Sequence, residues 1–123
     1  MAPINFQSLS LDQKKEFLNS FDTIVSDCDG VIWNPRGVIN DAHHAIEKLI
    51  RLGKKVYFVT NNSAKTKDQL ANKFHKLGFT DVTHDSIVSS ASLAADYLRK
   101  NLPSGKAVYV VGSKAMCEEL RKC

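Results

Sequence analysis

The sequence predicts an α/β fold, a parallel sheet with helices on both faces, from three observations. Short apolar segments alternate with amphipathic helical stretches along the chain, the pattern of strands joined by right-handed helical crossovers. The 123 residues are 43% hydrophobic, enough for one domain with a core of its own. Two of the apolar segments run directly into polar, chemistry-bearing residues, where open α/β sheets place their sites.

The elements follow in order. Ser10 reads as the N-cap of a short helix over residues 11–19, so residues 1–20 are a helical lead-in to a core unit at 21–123. The first strand covers residues 23–26, and residues 30–39 form a loop containing Trp33, Pro35 and Gly37. Asn40 is expected to cap the next helix, in which Ala42, Ala45, Ile46, Leu49 and Leu52 keep a 3.6-residue period and Gly53 stands at C′. The second strand, residues 55–59, ends in Thr60-Asn61-Asn62-Ser63. Thr66 then caps a helix with Leu70, Ala71, Phe74 and Leu77 on one face, closed by Gly78. A short apolar piece, Ser86-Ile87-Val88, precedes a helix over residues 90–100 with Leu93, Ala94, Tyr97 and Leu98 facing inward. Pro103-Ser104-Gly105 makes a turn, residues 107–111 read as a third strand, and Ser113 starts a last helix. Repeats, low-complexity tracts and interdomain linkers are absent from the sequence.

The most informative stretch is Asp27-Cys28-Asp29-Gly30-Val31, directly after the first strand. Residues i and i+2 of a strand project to one side, so two carboxylates converge there. Convergent carboxylates suit a hard cation such as Mg²⁺ and can divide nucleophile and acid/base roles between them. The plainer alternative is a pair of turn aspartates in solvent. The hydroxyl and amide run Thr60-Asn61-Asn62-Ser63, at the end of the second strand, favours a site that binds an oxyanion.

Those residues resemble the haloacid dehalogenase-like phosphohydrolases, in the branch of phosphoglycolate phosphatase, pyridoxal phosphate phosphatase and the 4-nitrophenylphosphatases. The likeness lies in Asp27-Cys28-Asp29-Gly30-Val31-Ile32-Trp33 and Val59-Thr60-Asn61-Asn62-Ser63-Ala64-Lys65-Thr66, and more weakly in Leu77-Gly78-Phe79 and Val108-Tyr109-Val110-Val111-Gly112. It implies a three-layer Rossmann-like core and a Mg²⁺-dependent hydrolysis of small phosphate monoesters. By the same resemblance Asp27 is the nucleophile that becomes an aspartyl-phosphate, and Asp29 is the general acid/base. Thr60, with the backbone around Asn61 and Asn62, holds the phosphoryl oxygens. Mg²⁺ is held by the Asp27 carboxylate and the Asp29 main-chain carbonyl. The loop over residues 30–39 corresponds to a flap in which Trp33 is either a substrate wall or a hydrophobic plug.

Members of the family continue through a cap domain and back into the core, adding a lysine and a Gly-Asp motif with further metal ligands. No Gly-Asp pair occurs between Met1 and Cys123, and neither Lys65 nor Lys114 matches that lysine. The expectation is a truncated core whose activity alone is in question. The first strand, central in the family, would then be an exposed edge that makes the chain marginally stable or oligomeric. The alternative function is a non-catalytic product that binds phosphate weakly or pairs with a full-length relative. A phospho-acceptor signalling domain is a third reading, disfavoured by Asp29-Gly30-Val31 and by Thr60-Asn61-Asn62-Ser63, and because the third strand carries no acceptor aspartate.

The formal net charge of +4 is compatible with an anionic small-molecule substrate, but the lysines are dispersed, which argues against nucleic acid. Met1-Ala2-Pro3-Ile4-Asn5-Phe6 carries no signal-peptide pattern, and no membrane span is legible. Cys28, Cys117 and Cys123 show neither metal spacing nor a paired framework, which points to a reducing cytoplasm. Cys28 is expected to face the core, with redox sensing as a minor alternative. His43, His44, His75 and His84 are scattered and carry no catalytic assignment. Gly112-Ser113-Lys114 lacks the upstream glycine of a phosphate loop, and no G-x-G-x-x-G is present.

Overall fold

The computed structural model describes residues 4–122; Met1, Ala2, Pro3 and Cys123, named in the readings above, lie outside the described residues. A 3-10 turn (Phe6–Ser8) leads into helix α1 (Leu11–Asn19). Ser10 caps α1 as the sequence indicated, and Gln13 completes a reciprocal capping box, with Ser10 N donating to Gln13 Oε1 at 2.9 Å. Phe17 meets Phe6 and Phe21 edge-on, with ring centroids 5.4 Å apart in both cases, which links this lead-in to the start of the first strand.

Strand β1 (Thr23–Ser26) follows, then a small antiparallel hairpin, β2 (Trp33–Asn34) and β3 (Gly37–Val38), inside the segment expected as plain loop. Helix α2 (Ala42–Arg51) starts one residue later than the sequence indicated. Asn40 and Asp41 both take left-handed conformations, with φ of 44° and 55°. Asp41 therefore occupies the N-cap, and no side chain caps the helix. In place of a side-chain cap, Asp41 O receives His44 N at 3.0 Å. Ile46 is the buried anchor of α2, whereas Ala45 and Leu52 are exposed, a correction to the expected stripe.

Strand β4 (Lys55–Thr60) is central and pairs in parallel with β1 on one side and with β5 (Ile87–Ser89) on the other, giving the order β1-β4-β5. Helix α3 (Lys67–Lys76) lies between β4 and β5 in sequence, capped by Thr66 and Gln69 reciprocally. Helix α4 (Ser90–Asn101) continues directly from β5, and α5 (Lys114–Arg121) packs on it. The α/β class and the parallel sheet agree with the sequence reading. Among the described residues β1 pairs only with β4, so it is the edge anticipated above, and Val25 is 67% exposed there.

Two further expectations fail. Residues 107–111 are not a strand, because no neighbouring strand among the described residues completes a ladder; Tyr109 and Val111 stand in solvent. In α4, Leu93 and Tyr97 point outward, and the buried positions are Ala91 and Ala95. Small residues four apart let the helix backbone approach its neighbours closely, which larger side chains would prevent.

Along β4 burial alternates strictly: Val56, Phe58 and Thr60 are buried, while Lys55, Tyr57 and Val59 face out. The buried face meets Trp33, Ile46, Leu70, Phe74, Phe79 and Ile87. Phe74 is the hub, with ring centroids 4.6 Å from Phe58 and 4.6 Å from Trp33. Each fully buried side chain of this size contributes roughly 1.5–3 kcal/mol. This aromatic cluster lies directly beneath the loop after β1 and fixes its position.

Candidate active site

The site forms where β1 and β4 end. Their parallel register pairs Ser26 with Phe58, so Asp27 and Thr60 leave the sheet at the same rim. Beyond β1 the chain wraps around one carbonyl: Cys28 O receives the N–H groups of Val31, Ile32 and Trp33 at 3.0–3.3 Å. Gly30 makes that wrap possible with φ of 84°, a conformation costly for any residue with a Cβ. The turn brings Trp33 alongside Asp29, and Gly30 N closes it on Trp33 O at 2.7 Å.

Asp29 is the best-connected residue of the site. Its Oδ1 receives the Trp33 indole N–H at 2.8 Å and lies 3.7 Å from Lys73 Nζ, while its Oδ2 lies 3.5 Å from Asn62 Nδ2. Thr60 is buried at 2% exposure and its Oγ1 accepts from Asn62 N at 3.1 Å. Asn62 Oδ1 in turn accepts from Ala64 N at 2.9 Å, which curls the loop after β4. The structure thus brings together three residues singled out from sequence: Asp29, Asn62 and Thr60.

Asp27 is exposed at the same rim, with Oδ1 accepting from Cys28 N at 2.7 Å. It makes no hydrogen bond or ion pair with Asp29, Thr60, Asn61 or Asn62 among the described residues. Asn61 contributes its carbonyl, which accepts from Ser90 Oγ at 3.0 Å, while its side chain is exposed. Ser113 Oγ donates to Ser63 O, and Glu119 Oε1 accepts from Lys67 N at 2.8 Å, so α5 braces the loop from behind. The rim is open. Clefts of about 720 Å³ beside residues 98–121 and about 290 Å³ at the opposite end of β4 lie away from it.

The donor set here is chemically suited to a hard cation. The Asp27 carboxylate and the Asp29 main-chain carbonyl are both oxygen donors, and neither Asp27 Oδ2 nor the Asp29 carbonyl has a hydrogen-bond partner among the described residues. Mg²⁺ is commonly held by one or two carboxylates, with water and substrate oxygens completing its shell. The described residues contain no group of three or more His, Cys, Asp or Glu that could hold a metal on its own.

Trp33 is a plug, not a wall: it is 1% exposed and stacks edge-on against Phe74 and Phe79. Cys28 is fully buried, and burial, followed by the negative charges of Asp27 and Asp29, pushes its thiol up to about 12. A thiol so protonated and enclosed is a poor redox sensor. Lys73, whose ammonium sits 4.1 Å over the Trp33 ring, carries the charge that sequence reasoning overlooked. Its signal was positional: it lies three residues after buried Leu70 and one before buried Phe74, on the border of the apolar face of α3.

Comparison with known proteins places this arrangement. The profile described as haloacid dehalogenase-like hydrolase matches residues 24–123. The chain is 44% identical over 122 residues to phosphoglycolate phosphatase 2 of Arabidopsis thaliana, covering 98% of this chain and 40% of that protein. It is 40% identical over 103 residues to glycerol-3-phosphate phosphatase of Gallus gallus, covering 84% of this chain and 33% of that one. Among solved structures, a glycerol phosphate phosphatase from Mycobacterium tuberculosis in complex with magnesium superposes with a TM-score of 0.73 at 30% identity, covering 85% of this chain and 31% of that one. The chain therefore spans two-fifths or less of the length of these relatives.

Proposed function

Because this chain belongs to the haloacid dehalogenase-like hydrolases, we propose that it carries the nucleophile-bearing part of a phosphatase acting on small phosphate monoesters through an aspartyl-phosphate. The observation that supports this reading is the meeting of Asp29 with Asn62 at the rim where β1 and β4 end, next to an Asp27 carboxylate with one oxygen unengaged. Relatives named for phosphoglycolate and glycerol phosphate support a small phosphate ester as substrate.

In this mechanism one oxygen of the Asp27 carboxylate attacks the phosphorus in line with the ester oxygen. The bond from phosphorus to that oxygen breaks, and Asp29 delivers a proton to the departing alkoxide. Asp29 then accepts a proton from water, whose oxygen attacks the aspartyl-phosphate; the bond from phosphorus to Asp27 breaks and inorganic phosphate leaves. The Thr60 hydroxyl and the backbone at Asn61 and Asn62 hold the equatorial oxygens, where phosphoryl transfer spreads its charge. The Asp27 carboxylate and the Asp29 main-chain carbonyl would hold Mg²⁺, which would supply neutralising charge to those oxygens.

The free thiols Cys28 and Cys117 support a reducing cytoplasmic compartment. Among the described residues no helix is long and apolar enough to cross a membrane. The partners that fit are a phosphorylated metabolite and a second copy of the chain or a longer relative, with no role for nucleic acid.

A second reading is a non-catalytic module that binds phosphate weakly, favoured by the small number of metal-ligating carboxylates among the described residues. The test is turnover of 4-nitrophenyl phosphate with Mg²⁺, next to Asp27→Asn. Turnover lost in the variant supports the enzyme; equal background in both supports the second reading.

A further inference from the structure

Three contacts close a triangle beside the site. The Trp33 indole N–H reaches Asp29 Oδ1 at 2.8 Å, Lys73 Nζ lies 3.7 Å from the same oxygen, and Lys73 Nζ sits 4.1 Å over the Trp33 ring. Trp33 cannot turn freely, since it is 1% exposed and wedged against Phe74 at 4.6 Å. Its N–H vector is therefore fixed by the core, and the carboxylate it binds inherits that orientation. Both groups on Oδ1 are donors only. Oδ2 is left on the side of Asn62, towards the loop after β4.

We propose that Trp33 and Lys73 are positioning residues for Asp29: they anchor Oδ1 to the aromatic core and present Oδ2 to the substrate's leaving-group oxygen. The proposal rests on the phosphatase reading for its catalytic consequence, but the geometry itself is testable without turnover. Lys73 belongs to α3, whereas Asp29 lies in the turn after β1 and Trp33 opens β2, so the triangle also locks the nucleophile turn to the phosphate-loop helix. A misplacement of about 1 Å in such a group is enough to cost on the order of a hundredfold in rate.

Trp33 is the chain's one tryptophan, so its indole ¹⁵N–¹H resonance is unambiguous. At fixed pH, Asp29→Ala and Lys73→Met are each expected to shift that resonance and speed its solvent exchange, while Asp85→Ala at the opposite end of β4 leaves it in place. An indole resonance unmoved by Asp29→Ala overturns the proposal, whether or not the chain turns over substrate. With turnover, Lys73→Met is expected to lower kcat for glycerol phosphate tenfold or more, by the reach of general acid catalysis, at little change in KM. The same variant is expected to change 4-nitrophenyl phosphate hydrolysis less than about threefold, because a stable phenolate leaves with little help from an acid. Equal losses on both substrates indicate a merely structural role and contradict it. Absence of turnover in the parent chain counts against the phosphatase reading alone, and the resonance then decides the proposal. Trp33→Phe, which removes that indole, repeats the two-substrate comparison of kcat from the other side, with Lys73→Met as the variant that leaves the core intact.

Discussion

The Trp33 indole N–H and the Asp29 carboxylate, four positions apart in sequence, meet at 2.8 Å, joining the largest fully buried side chain among the described residues to an exposed acidic group. The chain's core and its candidate chemistry are therefore mechanically continuous. What disturbs the aromatic cluster is expected to disturb Asp29.

Phe74→Ala removes the hub between Phe58 and Trp33. Emptying a fully buried phenylalanine costs about 3–5 kcal/mol, counting both lost transfer energy and the cavity left behind. Urea unfolding is expected to show that loss, and the Trp33 fluorescence maximum to move to longer wavelength before global unfolding. A loss under about 1 kcal/mol contradicts this packing.

Cys28 makes stability depend on alkaline pH. Its folded thiol is pushed from 9.0 to about 12, chiefly by burial, so the unfolded chain releases that proton first. Between those values the folded state holds more protons, and stability falls as pH rises, by up to about 1.4 kcal/mol per pH unit from this group. Below pH 9 the contribution is fully present. Chemical denaturation at pH 8 and pH 10 is expected to show a smaller pH-dependent loss in Cys28→Ala than in the parent; identical losses contradict it.

Glu119 braces α3 from α5, with its carboxylate accepting Lys67 N at 2.8 Å and lying 3.3 Å from Lys122 Nζ. It is 6% exposed, so Glu119→Ala strands a backbone donor and is expected to cost about 1–3 kcal/mol. Hydrogen exchange at residues 63–68 should accelerate in the variant. Unchanged exchange there contradicts a bracing role.

The β1 edge is apolar and open, with Val25 67% exposed. Unpaired strands of this kind associate unless charge protects them. Sedimentation is expected to show concentration-dependent association that Val25→Lys weakens. A cooperative, strictly monomeric melt at high temperature contradicts it.

Much of this was legible from sequence where local rules decide the outcome. Ser10, Thr66 and the periodicity of α3 specified helix starts and faces, because caps and the 3.6-residue repeat are local. The aspartates at the end of β1 and Thr60 at the end of β4 were readable for the same reason. Residues 107–111 misled because β-propensity makes a strand only with a neighbour to pair with, and that neighbour is a property of the whole sheet. Leu93 and Tyr97 misled because an Ala91/Ala95 face can win by approaching closely. Lys73 escaped notice because its role comes from Trp33 and Asp29, forty-odd residues away in sequence, and such juxtapositions are written in tertiary structure.

The central claim is that Asp27 takes the phosphoryl group. Acid quenching of the chain during turnover of a radiolabelled phosphate monoester with Mg²⁺, followed by peptide mapping, tests it directly. The account predicts hydroxylamine-labile label on the peptide bearing Asp27, and none in Asp27→Asn. Turnover with no label at Asp27, or label retained in the variant, contradicts it.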